Sequence, residues 1–395
     1  MRNPGNKFML KFDSQYLRWF FLMLCFFKTS AIDQNFLLGT IFDVGRVIAS
    51  TIILVKYLSK SKFSKFIILV TIYEILLLLS TVLANGETFT ALISLISVTA
   101  MCMFVEYAAK MNYAKCIKVL LHISCLFLFL NAILQVMYPK GLYTVELTRD
   151  WGRMYWLYGH QNQMTPYTIL TLTLFFLHKE INNQSKFDMS TVIVLGTVIW
   201  SALVAWSATN LLCSFLFVSL YSFCSVKNRP FFSFKTCLFL QLVIFLSIII
   251  FRLQDAFQWL VEGVLQRTLT FTGRTNIWDS ALLAIQENPV LGQGVQNEET
   301  MMRIMRLVHA HNAYLQVVFA SGFVGLGIFL AILATYALRI DKNRASSQSR
   351  PLVIGLFALM LGMQMDVYRF DLFFMLLAIA ANMHPTLIRR RRSML

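Results

Sequence analysis

The chain has 395 residues, 57% of them hydrophobic and only 14% charged, with a mean hydropathy of +0.64. A soluble domain carries roughly 25% charged residues, so this composition excludes a soluble enzyme, and residues 1–395 read as one integral membrane domain. The net charge of +16 would point to nucleic acid in a soluble chain. Here the basic residues cluster in short loops between alternate apolar segments, beside anionic lipid headgroups, and no nucleic-acid partner is expected.

Apolar runs able to cross a hydrocarbon core, about 20 residues each, predict helices near 15–31, 36–55, 66–84, 88–106, 117–137, 163–179, 189–205, 208–226, 236–253, 311–337, 351–366 and 369–387. The first follows a basic start and precedes Thr29-Ser30-Ala31, as a signal peptide would; keeping it as a helix makes every later loop obey the charge rule. The expected fold class is therefore all-α, a polytopic membrane protein of about 12 transmembrane helices with both termini cytoplasmic. Lys56, Lys60, Lys62 and Lys65, then Lys110, Lys115 and Lys118, and finally Arg389 through Arg392 mark the inner side. The seven cysteines fall in helices or inner loops and imply no disulfide framework.

Two segments expected outside are longer than a plain connection, 138–161 and 254–310, and long loops in a compact fold usually carry function. The second holds an amphipathic stretch, 276–287, with Ile277, Ala281 and Ile285 on one face; Thr275 would cap it, and Pro289 and Gly292 would end it. It reads as a short helix lying on the membrane surface or roofing a cavity.

Arginine dominates the basic residues assigned outside: Arg149, Arg153, Arg252, Arg267, Arg274, Arg303, Arg306 and Arg369. A guanidinium fork matches phosphate oxygens, so a phosphorylated ligand is expected; the alternative is loop charges pairing with Asp150, Glu262, Asp279 and Glu298. Of six histidines, His160, His309 and His311 lie outside. His311 stands at the mouth of a long apolar span, a place for a general base or for a plain helix cap. The His309-x-His311 spacing also suits a metal, but no cysteine or clear third ligand accompanies it, and no metal is expected. Within the membrane Asp43 and Arg46 are spaced to neutralise each other, while Glu74 has no obvious partner. The pair Gly292-Gln293-Gly294 is a turn signal only.

The series Thr272-Gly273-Arg274-Thr275-Asn276-Ile277-Trp278, Asn288-Pro289-Val290-Leu291-Gly292-Gln293-Gly294, His309-Ala310-His311-Asn312-Ala313-Tyr314-Leu315-Gln316 and Gly322-Phe323-Val324-Gly325 resembles the shared region of O-antigen ligases and Wzy-type polysaccharide polymerases. Gly159-His160-Gln161-Asn162 resembles a further motif of the same superfamily. The resemblance implies a bacterial inner-membrane glycosyltransferase of the lipid-donor kind. Such proteins move a glycan from an undecaprenyl diphosphate carrier to an acceptor sugar hydroxyl on the outer leaflet, without cofactor or essential metal. It further implies His311 as the base that activates the acceptor and Arg274 on the diphosphate. Where many relatives carry an arginine after a serine-rich motif, this chain has Ser207-Ala208-Thr209-Asn210, so Arg153 or Arg267 would supply the missing cation. His309, Asn312, Tyr314, His160, Asn162, Asn210 and Arg303 are the further expected substrate contacts.

The leading expectation is a repeat-unit polymerase for O-antigen, capsule or exopolysaccharide, with the ligase that moves finished polymer to lipid A core or another terminal acceptor as the alternative. A chain-length regulator and a flippase are expected partners, beside the carrier-linked oligosaccharide, the acceptor glycan and the bilayer. A transporter without catalysis is the rival of another class; it calls for two repeated halves meeting at mid-membrane, whereas here a single large loop stands out.

Overall fold

In a bilayer the polar backbone of an apolar run finds no partner but itself, so these runs fold as helices. The computed structural model describes residues 13–60, 62–143, 154–223, 233–253, 274–305, 308–342, 346–367 and 370–383, apart from the side chains of residues 60, 274 and 275. Among these the fold is all-helical; the β-pairing is confined to the isolated bridges Tyr143–Tyr155 and Trp156–Gly159. Among the described residues, four helical stretches are long and apolar enough to cross a membrane: Phe36–Ser59, Lys65–Leu83, Thr88–Met137 and Ala313–Lys342.

The helices are α1 (Ser14–Leu24), α2 (Ser30–Gln34), α3 (Phe36–Lys60), α4 (Lys65–Leu83), α5 (Thr88–Met137), α6 (Met164–Asn182), α7 (Met189–Val204) and α8 (Ala208–Phe223). They continue with α9 (Phe234–Phe245, extended by a π turn, Leu246–Ile250), α10 (Arg274–Glu287), α11 (Glu298–Met305), α12 (Ala313–Lys342), α13 (Ser349–Met363) and α14 (Phe370–Ala381). Short polar side chains start several of them: Asp13, Ser64, Asp188 and Ser233 each accept from a backbone N–H in the first turn. α14 is buried all round from Leu372 to Ala381, whereas α3 leaves Phe36, Leu37, Ile41, Val44 and Ile48 exposed. The first is the pattern of a central helix, and the second of one bathed in lipid.

Two boundaries differ from expectation, each for a local reason. The first helix stops at Leu24 instead of running to 31, because the chain turns where Lys28 is gripped by Asp33 and Asp43. The runs 88–106 and 117–137 join through Asn112, which leaves helical geometry (φ −159°, ψ 95°) and caps the next stretch by accepting from Lys115 N–H at 2.9 Å. Glu74 does have a partner, since Ser94 Oγ donates to its carboxylate at 2.9 Å. The Asp43–Arg46 pair forms as expected at 2.7 Å and also takes in Lys28 at 2.8 Å.

The amphipathic stretch folds as α10, starting at Arg274, so Thr275 lies inside the first turn and does not cap it. Its apolar face packs on protein: Trp278, Ala281 and Ile285 join Met301 and Met305 of α11 and Leu315 and Phe319 of α12. Beyond it, the 289–294 segment plugs a break in α12. Gly322 (φ +62°, ψ −170°) interrupts that helix and frees carbonyls that Gln293 N–H (2.7 Å to Phe319 O) and Gly294 N–H (3.0 Å to Ala320 O) satisfy. In return, Phe323 N–H donates to Pro289 O at 2.8 Å. Non-helical backbone inside an apolar span is tolerated only when its polar groups are met in this way.

A Cβ on Gly322 would fall 2.1 Å from Val290 O, with the backbone already in the left-handed region. Gly322→Ala is therefore expected to cost on the order of 2–3 kcal/mol. Thermal unfolding of the purified protein in detergent checks this, and an unchanged midpoint would show that the joint is soft.

Candidate active site

One end of the bundle gathers the starts of α3, α6 and α12 and the ends of α1 and α13. Four local features place the polar groups there. Asn312 caps α12, its Oδ1 accepting from Tyr314 and Leu315 N–H at 3.0 Å each, while its Nδ2 donates to Gln364 O at 3.0 Å. That bond ties α12 to the turn following α13. Gln364 in turn donates to Gln241 of α9 at 3.1 Å, so three helices hold the same turn. His311, just before the cap, sits in the left-handed region (φ +47°), a strained setting for a side chain with a Cβ.

The strained turn brings His311 to Asp366. Nδ1 of His311 lies 3.3 Å from Asp366 Oδ1, and Nδ1 of His309 lies 3.7 Å from the same oxygen. Nδ1 of His311 is close to the carboxylate but not aligned for a straight hydrogen bond. The two imidazoles meet edge to face, 4.2 Å between centroids. Asp366 is 2% exposed, and burial alone would raise its pKa. The contact with His311, the charge of His309 and a hydrogen bond from Asn162 outweigh that burial and hold the carboxyl below the usual carboxylate range.

The histidines differ in what their nitrogens do. Nδ1 of His309 receives the backbone N–H of His311 at 3.3 Å, which engages its lone pair. Nδ1 of His311 faces a carboxylate, which favours a proton on Nδ1 and a lone pair on Nε2. The second arrangement is the one a general base needs.

Asn162 arrives by another route. Gly159 turns with φ +90°, His160 Nδ1 accepts from Asn162 N–H at 3.3 Å, and the 3₁₀ turn Gln161–Gln163 presents Asn162 to Asp366. His160 is thus a cap that aims Asn162.

The other expected contacts are not all brought to this place. Tyr314 donates from its hydroxyl to Met360 O at 3.2 Å and packs against Phe245, an anchor of α12. Asn210 is fully buried at the start of α8, accepting from Thr168 Oγ1 at 2.5 Å, and faces α6 rather than the histidines. Arg303 is exposed on α11 and makes none of the cluster's contacts. Arg252 pairs with Asp279 of α10, in line with the loop-charge alternative for that arginine. Arg153 and Arg267 lie outside the described residues, and of Arg274 only its backbone place at the start of α10 is described.

Sequence reasoning missed Asp366, Gln364 and Gln241. Asp366 overturns the expectation that the histidine pair has no third ligand, since the donor atoms of His309, His311 and Asp366 lie within 4.8 Å of one another. Two imidazoles and a carboxylate form a set able to hold a divalent cation. Against such a role, Nδ1 of His309 already receives a backbone N–H.

The family described as O-antigen ligase matches residues 168–330. The chain is 40% identical over 109 residues to an O-antigen ligase of Pseudomonas aeruginosa, a stretch that covers 25% of this chain and 25% of that protein. No solved structure matches. The resemblance to the O-antigen ligase and Wzy-type polymerase superfamily holds in both comparisons, and both point to the ligase branch rather than to the polymerase. The matched segments make up less than half of the chain, and the chain spans about a quarter of the length of that relative. Asp366 lies beyond the matched segment.

Proposed function

We propose, on the premise of that superfamily, that this protein is an O-antigen ligase that joins a polyprenyl-diphosphate-linked glycan to a sugar hydroxyl of a terminal acceptor such as lipid A core. The ligase replaces the polymerase as the leading reading because the similar protein and the matching family are both described as O-antigen ligase. The single observation that carries the chemistry is the His311–Asp366 contact at 3.3 Å in a buried, strained setting.

In this reading Nε2 of His311 takes the proton of the acceptor hydroxyl as its oxygen attacks the anomeric carbon. The bond from that carbon to the diphosphate oxygen breaks, and the diphosphate leaves with the electron pair. Arg274, with Arg153 or Arg267, holds the diphosphate, and charge stabilisation of this kind replaces a general acid. Direct displacement inverts the anomeric centre. Asp366 keeps the imidazole in its tautomer, and Asn162 and Asn312 hold Asp366 and its turn. Twelve crossings with cytoplasmic termini in the inner membrane put this end of the bundle on the outer face, where the carrier-linked glycan waits.

Mass spectrometry of carrier-linked glycans with and without the protein tests the proposal. A ligase leaves long chains stranded on the carrier when lost, whereas a polymerase leaves single repeats. Unchanged carrier glycans would remove the transferase reading altogether.

A further inference from the structure

The end of the bundle away from Asp366 carries a charged surface that the transferase reading leaves unused. α6 starts at Met164, two residues past Asn162, so His178 near its other end stands about 21 Å further along the axis. There it meets the second half of α5, and the charges of His122, Lys118 and Lys179 all bear on it. We propose that Lys118, His122 and His178 form a binding site for the headgroup of an anionic phospholipid. The lipid belongs to the leaflet opposite the histidine–aspartate cluster, the cytoplasmic one in the topology proposed above. The inference is independent of the transferase reading.

The first argument lies in the helix itself. Lys118, His122, Leu126, Leu130, Ile133 and Met137 follow one another at steps of three or four residues and so share one face of α5. All six are exposed, while Ile123, Phe127 and Asn131 on the other side are buried. The first two are basic and the last four apolar, the order in which a lipid presents its headgroup and its acyl chain. From Leu126 to Met137 the apolar stripe runs about 17 Å, close to the ~15 Å that one leaflet contributes to the hydrocarbon core.

Charge gives the second argument. The carboxylates near this end are committed elsewhere: Asp13 to Lys115 at 2.8 Å, Asp188 to Lys179 at 2.6 Å, and Glu180 to the Tyr221 hydroxyl at 2.7 Å. Among the described residues no acidic group pairs with Lys118, His122 or His178. A lipid phosphate supplies the missing counter-charge, and the apolar stripe above it holds the chain.

The donors are also held in place. His122 Nδ1 and the hydroxyl of Tyr16 on α1 are 2.6 Å apart, and the Tyr16 ring stacks on Phe20. Asn182 Nδ2 lies 3.2 Å from the ring nitrogens of His178. With Nδ1 accepting from Tyr16, the proton of a neutral His122 sits on Nε2, free for a phosphate oxygen. A headgroup here joins α5 to α6 beside the start of α1.

The test is native mass spectrometry of the full-length protein in micelles containing equal amounts of phosphatidylglycerol and phosphatidylethanolamine. Retained phosphatidylglycerol is expected to exceed phosphatidylethanolamine about 5-fold or more, the effect of one basic residue at an anionic surface. Lys118→Gln should remove that preference, and Lys118→Arg should keep it, which separates loss of charge from loss of fold. Lys56→Gln takes an equal charge from the exposed end of α3 and should leave the preference intact. Equal retention of both lipids by the wild type overturns the proposal. So does an unchanged preference in Lys118→Gln, or an equal loss in Lys56→Gln, the sign of diffuse attraction. A dimer that Lys118→Gln dissolves would seat a second copy on this face instead and overturns it too.

Discussion

His311→Ala is expected to reduce glycan transfer by about 10²–10⁴-fold, the range that a positioned general base contributes, while the protein remains in the membrane at its normal level. The reason lies in the nitrogen assignments. His311 directs Nδ1 at Asp366 and so keeps Nε2 as proton acceptor, whereas Nδ1 of His309 already receives a backbone N–H. His309→Ala should therefore have the smaller effect, felt through the edge-to-face contact at 4.2 Å. The measurement is transfer from purified carrier-linked glycan in proteoliposomes. If His311→Ala retains full rate, it is not the base; if His309→Ala alone is dead, the two roles exchange. The same assay with EDTA decides the metal alternative. An unchanged rate is expected, and a loss restored by zinc would make His309, His311 and Asp366 its ligands.

Asp366→Asn is expected to lower kcat about 100-fold with little change in KM, the size of effect that follows from misplacing a reacting group by about an ångström. Asparagine keeps the shape but loses the charge that selects the His311 tautomer. A loss confined to KM would instead make Asp366 a substrate contact. The pH dependence of stability provides a second readout. The folded pKa of Asp366 is depressed below its unfolded value of about 3.9, so its charge stabilises the fold fully above that unfolded value. The contribution is lost as pH falls through the lower folded value. The difference in Tm between wild type and Asp366→Asn should therefore shrink as pH falls below about pH 4. A difference that stays unchanged there would mean that Asp366 is not held ionised by its neighbours.

Much of the site could be read in the sequence because its parts sit in runs with their own local logic. The stretch from His309 to Gln316 stands just before an apolar span, and Asn312 takes up the cap that such a position invites. Gly159 to Asn162 is a turn before another span, and it proves to be the device that aims Asn162. Asp366 could not be paired with the histidines from sequence, since the whole of α12 and α13 separates them. One signal was available: a lone carboxylate between two short apolar helices is costly near a membrane and needs a reason. Gly292 and Gly294 looked like a bare turn, because nothing in their own neighbourhood reveals a broken helix that needs the N–H groups of Gln293 and Gly294. Glu74 looked unpartnered for the same reason, its hydroxyl partner Ser94 lying on the following helix.

By itself, the chain's order of residues determined an all-helical membrane protein, the resemblance to the superfamily, and the segments from which the candidate site is drawn. Those properties depend on composition, on hydrophobic runs and on short motifs, all of which act over a few turns of chain. Tertiary structure alone decided that Asp366 meets His311, that Asn210 and Arg303 stand apart from them, and that Lys118 and His122 of α5 meet His178 of α6. These meetings depend on how distant helices pack, and packing is a balance of contacts over the whole bundle that no local stretch encodes.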